Sequence, residues 1–187
     1  MRRESKLLPR KSFFQRKAIE LIRRFEVVPD SDGQVSYRLT ASGAWARSRP
    51  AHLFYFFKKI NLSAFKLFVD LGSGDGAATC MAGLFTTAIG IEADPDLASE
   101  AAESARAVEL GNHVNFLCAD FFTQRIRAAD ILFIYPDKPV YALEESLGGW
   151  DGVLLVYGPH FPPKRMLLAR SLKCGRESLS VYRGWKM

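Results

Sequence analysis

The first 60 residues carry two stretches in which apolar positions recur at the spacing of a helix. Over residues 12–25 the apolar side chains fall three or four positions apart, with arginine and lysine between them, which predicts an amphipathic helix. A second helix is predicted over about residues 51–60, with Ser48 as its cap and Pro50 in its first turn. Between them, the turn-forming cluster at residues 29–33 separates two β-prone pieces and predicts a hairpin.

Beyond Leu62, short apolar runs alternate with helical stretches. The runs cover residues 67–71, 88–92, 114–119, 130–135 and 152–157. The clearest intervening helices cover residues 77–85 and 95–110, the second capped by Asp94 and ended by Gly111. Strands that alternate with helices are typical of βαβ units, so the pattern predicts an α/β fold around a parallel sheet.

The last 30 residues leave two arrangements open. Pro159, Pro162 and Pro163 interrupt the chain directly after the fifth strand. The remainder is compatible with a helix that ends at Gly175 and a following strand, or with a β-hairpin. The hairpin is the preferred interpretation.

Composition narrows the class of protein. The chain has 187 residues, 48% of them apolar and 25% charged, as in one globular domain. Its longest apolar runs are far shorter than the roughly 20 residues that cross a bilayer. The three cysteines lie far apart, so neither a disulfide framework nor a metal site is expected. We expect a cytoplasmic protein, with the mitochondrial matrix as the alternative because the N-terminus is basic; the oligomeric state is left open.

Charge divides the chain into two parts. Residues 1–66 contain 15 lysines and arginines against 5 acidic residues, whereas residues 67–187 contain 11 against 15. We therefore expect a basic N-terminal extension of helix and hairpin over residues 1–50 and a main domain over residues 51–187. The basic part is suited to an acidic partner such as a nucleic acid, although a solvated helix face gives the same pattern.

The candidate chemistry lies in the loop after the first of the alternating strands. The sequence VDLGSGDGA places Gly72, Gly74 and Gly76 between a strand and a helix, and Glu92 closes the next strand. Glycines allow a tight turn and a close backbone approach to a ligand, and an acid at the end of the second strand can bind ribose hydroxyls. This spacing alone also fits NAD or FAD.

The acids of this loop favour a cationic ligand. Asp70 and Asp75 flank the glycines, where two carboxylates would repel a pyrophosphate. S-adenosylmethionine (SAM) instead presents an ammonium and a sulfonium, which acids in a low-dielectric cleft favour. A third acid, Asp120, ends the third strand, where it can accept a hydrogen bond from an adenine amine while Phe121 covers the ring. The sequence therefore predicts SAM as the cofactor.

Four segments, VDLGSGDG, IGIEADPDL, VNFLCADFF and ADILFIYPD, resemble the successive motifs of class I SAM-dependent methyltransferases. The resemblance covers about residues 51–157. It implies a doubly wound, mostly parallel sheet of seven strands, with helices on both faces and SAM across the carboxyl ends of the first strands. The residues then expected to bind the cofactor are Asp70, Gly72, Ser73, Gly74, Asp75, Gly76, Glu92, Ala93, Asp120 and Phe121.

Within that class, three features resemble the compact archaeal protein lysine methyltransferases and their mitochondrial relatives. They are a proline-led helix before the first strand, the string VDLGSGDG, and the apparent loss of the helix between the fifth and sixth strands. The likeness implies a protein lysine as the methyl acceptor. A nucleic-acid methyltransferase that uses the basic extension is the main alternative, followed by a SAM-binding regulator without turnover and an NAD-dependent oxidoreductase.

The candidate catalytic residues follow the fourth and fifth strands. Tyr135 and Asp137 lie where this class receives its acceptor, and both side chains can accept a hydrogen bond from an attacking amine. His160 follows the fifth strand at the same edge of the sheet, where an imidazole can take up a proton near neutral pH.

Overall fold

The computed structural model describes residues 12–26, 38–40, 43–45 and 47–186 of the chain. Its helices are α1 (Phe13–Arg24), α2 (Pro50–Lys59), α3 (Ala77–Ala82), α4 (Pro95–Ala107) and α5 (Tyr141–Ser146). Its strands are β1 (Arg38–Thr40), β2 (Gly43–Trp45), β3 (Leu67–Leu71), β4 (Thr87–Glu92), β5 (Val114–Cys118), β6 (Ile131–Ile134), β7 (Val153–Tyr157), β8 (Met166–Cys174) and β9 (Glu177–Trp185).

Seven of these strands form one mixed sheet in the order β5-β4-β3-β6-β7-β9-β8. The first five are parallel to one another, with Asp70 of β3 beside Gly90 of β4 and beside Phe133 of β6. Strand β9 is antiparallel to both of its neighbours, β7 and β8. The sequence-based prediction of an α/β fold with a mostly parallel seven-stranded sheet is confirmed.

Apolar side chains fill the space on both faces of the sheet, because successive residues of a strand point to opposite faces. Phe68 and Phe133 lie in the core that α1, α2, α3 and α4 cover, whereas Val69 and Leu132 lie in the core that α5 covers. The parallel strands are therefore buried on both sides, as their nearly continuous apolar runs require.

The first helix forms for local reasons and then packs on later parts of the chain. Ser12 and Gln15 make a capping box, in which each side chain accepts from the other residue's backbone N–H. The Phe14 ring lies 5.7 Å from that of Phe54 on α2 and 5.2 Å from that of Phe85. The ammonium of Lys17 donates to the carbonyl of Val108 at 2.8 Å. Helix α1 is thus attached by both apolar and polar contacts.

Two details before the sheet differ from expectation. Ser48 does not cap α2: Arg49 precedes its first turn and makes no side-chain cap, while Pro50 needs none because it has no N–H group. Strand β1 forms a short antiparallel pair with β2, which follows it, whereas the predicted hairpin pairs this part of the chain with residues before 29–33. The turn predicted at residues 29–33 lies outside the described residues, and the boundary at residue 50 stays a prediction.

The C-terminal segment is a β-hairpin, as preferred from the sequence. Residues 158–165 are all described and contain no helix, so β7 leads through a proline-rich loop directly into β8. Helix α4 ends earlier than predicted, at Ala107, because Glu109 and Gly111 take left-handed backbone conformations with φ of 52° and 60°. Within the described ranges, no helix is long and apolar enough to cross a membrane.

The substitution Gly76→Ala tests how closely the glycine turn packs on the sheet. Its φ is +84°, and a Cβ placed on it would lie 2.7 Å from the Phe116 ring and 2.8 Å from the Ala101 methyl. Gly76→Ala is expected to lower the free energy of unfolding by about 2–5 kcal/mol, combining left-handed strain of about 1–2 kcal/mol with overpacking of about 1–3 kcal/mol.

Gly111→Ala is the matched control in denaturant unfolding, because its φ is +60° but, apart from its own chain neighbours, no described residue has an atom within 4 Å of the added Cβ. It should show the strain alone, about 1–2 kcal/mol. Equal losses in the two variants would contradict the close packing of Gly76.

Candidate active site

A cavity of about 800 Å³ opens at the edge of the sheet where β3, β4, β6 and β7 end. The carboxyl ends of parallel strands meet at this edge, so the residues that follow the strands converge there. Among the residues predicted from the sequence, those that line the cavity are Asp70, Gly72, Ser73, Asp75, Glu92, Ala93, Asp120, Phe121, Tyr135, Asp137 and His160. The cofactor and acceptor candidates therefore share one space.

The glycine turn closes one end of this cavity. The N–H groups of Gly72 and Ser73 both donate to the carbonyl of Ile91, at 2.9 and 3.1 Å, which ties the turn to the end of β4. Gly72, Gly74 and Gly76 all have positive φ, a conformation that favours glycine. The structure gives them different tasks: a Cβ on Gly72 would enter open space, whereas Gly74 and Gly76 are buried and do not line the cavity.

Glu92 holds the two loops at the ends of β3 and β4 together. One carboxylate oxygen accepts from the N–H of Gly74 at 2.8 Å and the other from the N–H of Asp94 at 2.9 Å. The side chain is buried but lines the cavity. It therefore faces the cavity from a fixed position.

Asp70 is the most deeply buried acid of the site, with 2% of its surface exposed. Burial raises its pKa to about 7; the Thr79 hydroxyl, which donates to Asp70 Oδ2 at 2.7 Å, lowers it in part, and the charges of Glu92 and Asp75 raise it further. A cation placed between these carboxylates would favour their ionised forms.

Asp75 faces the same cavity and has an intramolecular cation beside it. Arg47, just before α2, places its Nε 2.9 Å from Asp75 Oδ2. Burial raises the pKa of Asp75, and the positive charge of Arg47 offsets part of that rise. The adjoining Ser48 lines the cavity, so the segment before α2 forms part of its wall.

Asp120 and Phe121 follow β5 at the side of the cavity. The Asp120 side chain is exposed and accepts from the N–H of Phe122 at 2.9 Å, which starts a short 3-10 turn. The Phe121 and Phe122 rings lie 4.5 Å apart. Phe121 therefore presents a supported apolar surface to the cavity.

The opposite end of the cavity contains the three candidate catalytic residues. The Tyr135 ring packs at 4.9 Å against that of Tyr157, whose hydroxyl accepts from the N–H of Arg49 at 3.3 Å. Asp137 and His160 are exposed at the mouth. Since Tyr135 is half-buried and the other two are open to solvent, this end is the accessible one, and we call it the acceptor end.

Sequence reasoning missed several residues that form the cavity. Arg47 and Ser48 precede the resembling motifs, and no local pattern connects them with Asp75. Lys138 and Phe161 line the acceptor end but lie in proline-containing loops without periodicity. For the loop that contains Phe161, the only sequence signal was that Pro159 and Pro162 lie close to the candidate residue His160.

Many solved structures are similar to this fold, among them three methyltransferases. An RNA methyltransferase from Salinibacter ruber, crystallised with S-adenosyl-L-homocysteine, is 21% identical, with a TM-score of 0.64 over 73% of this chain and 92% of that one. A tRNA (m1A58) methyltransferase from Aquifex aeolicus is 16% identical, with a TM-score of 0.63 over 75% and 71%. A methyltransferase from Geobacter sulfurreducens is 17% identical, with a TM-score of 0.58 over 95% and 91%.

The strand order and the position of the cavity define a class I methyltransferase fold. The model of the family described as histone methylation protein DOT1 matches residues 24–137, more than half of the chain, and the chain therefore belongs to this family. It is a SAM-dependent methyltransferase. No curated protein matches its sequence. The oxidoreductase and the regulator without turnover are accordingly set aside.

The residues of the cavity fit SAM. Asp70, Asp75 and Glu92 are buried acids that suit a ligand with cationic groups, and open space lies beside Gly72. The hydroxyl oxygen of Ser73 is buried and has no hydrogen-bond partner among the described residues, so it can accept one from a ligand. When bound, SAM supplies a methyl group on a sulfonium. No group of three or more metal-ligating side chains occurs in the described part of the chain.

Asp70→Asn tests the burial of this carboxyl through the pH dependence of stability. Because the pKa of Asp70 is about 7 in the fold against an ordinary value of 3.8, the folded chain holds its proton more tightly than the unfolded chain. The corresponding stability is present below pH 3.8 and is lost as the pH rises towards 7.

The ligand-free Asp70→Asn variant should therefore be more stable than the parent above pH 7. The gain should be a few kcal/mol at most, which is roughly the free energy that corresponds to the pKa shift of Asp70. Denaturant unfolding between pH 5 and pH 8 measures this difference. Asp151→Asn, at an exposed position, is the control variant. A parent and an Asp70→Asn variant with parallel profiles would mean that Asp70 is ionised throughout.

Glu92→Ala tests the position of the cofactor. Removing a carboxylate that both holds the glycine turn and faces the cavity should weaken SAM binding by about 1–3 kcal/mol. Calorimetric titration of SAM measures the loss. Asp96→Ala, at an exposed position of α4, is the control that should bind SAM normally. Unchanged affinity of Glu92→Ala would place the cofactor elsewhere.

Proposed function

We propose that this chain transfers a methyl group from SAM to the side-chain amine of a protein lysine. The observation that carries the proposal is the single cavity whose buried end is acidic and whose open end holds Tyr135, Asp137 and His160. The description of its family names histones, which are proteins, as what that family methylates. Both observations support a side-chain amine as the acceptor.

The likeness to compact archaeal and mitochondrial-type lysine methyltransferases supports the same acceptor. Helix α2 begins with Pro50, and β7 is joined to β8 without a helix, which are two of the three features on which that likeness depends. We therefore propose that the chain is related to these enzymes in its substrate as well.

The proposed cofactor contacts follow from the positions of the side chains. Asp70, Gly72, Ser73 and Asp75 would bind the methionine end of SAM, because they line the cavity next to one another. Glu92, with Ala93 beside it, would bind the ribose, and Asp120 and Phe121 the adenine. The acids and Ser73 are hydrogen-bond acceptors, as the amine and hydroxyl donors of SAM require.

The acceptor end must hold an amine and remove its proton. A lysine amine with a pKa near 10.4 is neutral in only about one molecule in a thousand near neutral pH. Tyr135 would accept from the amine and align its lone pair, and Asp137 or His160 would take the proton to solvent. Positioning supplies most of the rate in such a displacement, so no further catalytic group is required.

RNA is the second candidate acceptor, and two observations favour it. Two of the similar solved structures are RNA methyltransferases by their descriptions. Arg16 and Arg23 also project from the exposed side of α1, in the basic part of the chain. Binding of RNA through residues 1–66 should weaken steeply with salt, because it releases counterions.

The direct test is incubation of the purified chain with methyl-labelled SAM and protein and RNA fractions of a cell extract. The proposal expects label in protein, released as methyl-lysine on hydrolysis. Label that resists protease and is removed by ribonuclease would overturn the lysine acceptor and support the RNA alternative.

Tyr135→Phe and Asp137→Asn test the acceptor end separately from the cofactor end. Each should lower kcat by about 10-fold to 100-fold, since each removes a group that orients or deprotonates the amine, while the Kd for SAM stays within about twofold. Release of S-adenosylhomocysteine and calorimetric titration measure the two quantities. Tyr55→Phe, on the exposed side of α2, is the matched control. Normal turnover in both variants would show that the acceptor lies elsewhere.

A further inference from the structure

A groove of about 530 Å³ continues the cavity beyond its acceptor end. It shares Pro139, Val140 and Phe161 with the cavity, so the two spaces adjoin. Its other lining residues are Tyr141, Pro162, Pro163, Lys164 and Lys186. We call this surface the acceptor groove. Anything held in it lies next to the group that enters the cavity.

Phe161 stands at the junction of the cavity and the acceptor groove. Its backbone φ is +52°, an unfavourable conformation for a bulky side chain, and the residue is 37% exposed. Strain of this kind is concentrated at functional sites, where the surrounding structure maintains it. The structure thus holds an exposed aromatic side chain in a costly conformation beside the acceptor.

The exposed charge of the acceptor groove is positive. Lys164 lies 5.0 Å from the centroid of the Tyr141 ring, and the ammonium of Lys186 donates to the Lys164 carbonyl at 2.6 Å. The nearby Glu144 is buried and accepts from the N–H groups of Arg165 and Met166. Among the described residues that line the groove, Lys164 and Lys186 are the charged ones, and their ammonium groups lie at an otherwise mostly apolar surface.

The lining favours a peptide over a nucleic acid. Nucleic-acid interfaces are polar and strongly cationic, whereas prolines, Val140 and two aromatic side chains form most of this groove. The ring of Tyr141 already has Lys164 over it, which leaves less of it for stacking on a base. An extended chain that carries both apolar and acidic side chains matches both features.

We propose that the acceptor groove binds an acidic peptide segment adjoining the target lysine, so that the enzyme selects lysines in acidic and apolar surroundings. Carboxylates of the segment would pair with Lys164 and Lys186, and an apolar side chain would pack on Phe161. The proposal rests on the proposed lysine acceptor and names its substrate class. The proposal also explains how an enzyme with a net positive charge can bind a substrate lysine: the residues around that lysine are acidic rather than basic.

The test uses the full chain with saturating SAM and three fluorescent peptides of equal length. Each peptide has one central lysine with apolar neighbours, flanked by glutamates, by glutamines or by arginines. Binding is measured by fluorescence anisotropy, and methylation by mass spectrometry. The glutamate peptide should bind at least about tenfold more tightly than the glutamine peptide, and the arginine peptide should bind least.

Replacing the two lysines of the groove by glutamate tests whether they cause the preference for the acidic peptide. The double variant Lys164→Glu and Lys186→Glu should abolish the advantage of the glutamate peptide, whereas Lys173→Glu, an exposed lysine of β8 outside the groove, should preserve it. The Kd for SAM should be the same in all of them, because none of these lysines lines the main cavity. Phe161→Ala should weaken all three peptides about equally, since it removes an apolar contact.

Binding and methylation separate the two proposals. If the glutamate peptide binds as expected but its lysine is never methylated, the lysine acceptor fails and the proposal that the acceptor groove binds an acidic segment stands. Equal binding of the three peptides would overturn the proposal for the acceptor groove, and so would an advantage of the glutamate peptide that persists in the double variant. Methylation would still test the lysine acceptor in either case. Single-stranded RNA that binds more tightly than any peptide, and loses this affinity in the double variant, would likewise overturn the proposal for the acceptor groove.

Discussion

The burial of three carboxylates at one edge of a parallel sheet determines most of what this molecule does. Asp70, Asp75 and Glu92 lie where water is largely excluded, so each charge is costly unless a donor or a cation lies beside it. The chain provides Thr79 for the first, Arg47 for the second and two backbone N–H groups for the third. A cationic cofactor would stabilise the part of the buried negative charge that these partners leave uncompensated.

The segment before α2 connects the cofactor end of the cavity with its acceptor end. The segment before α2 reaches Asp75 through Arg47 and reaches Tyr157 through the N–H of Arg49, and Tyr157 packs on Tyr135. One short segment therefore contacts the walls of both halves of the cavity. The acids of one half are buried, whereas the other half is open and is lined by Pro136, Pro139 and Lys138. This division suits a small cofactor on one side and a large acceptor on the other.

Local patterns predicted the elements well and their ends less well. The period of α1, the cap of α4 by Asp94 and the alternation of strands and helices are all confirmed, because each depends on neighbours in sequence. Ser48 was wrongly expected to cap α2, since a proline at the first helical position leaves less to be capped. In the site, the residues that directly follow strands were found, because the end of a parallel strand fixes where the chain emerges.

The sequence by itself determined the class of fold, the acidic glycine turn and the order of the acids along the sheet edge, because these depend on short-range periodicity and on strand ends. Only the tertiary structure decided that Arg47 lies beside Asp75, that Gly76 is required for packing against Phe116, and that Phe161, Lys164 and Lys186 form a groove next to the acceptor end. These contacts join segments far apart in the chain, and their positions follow from how helices and loops pack on the completed sheet rather than from any local preference.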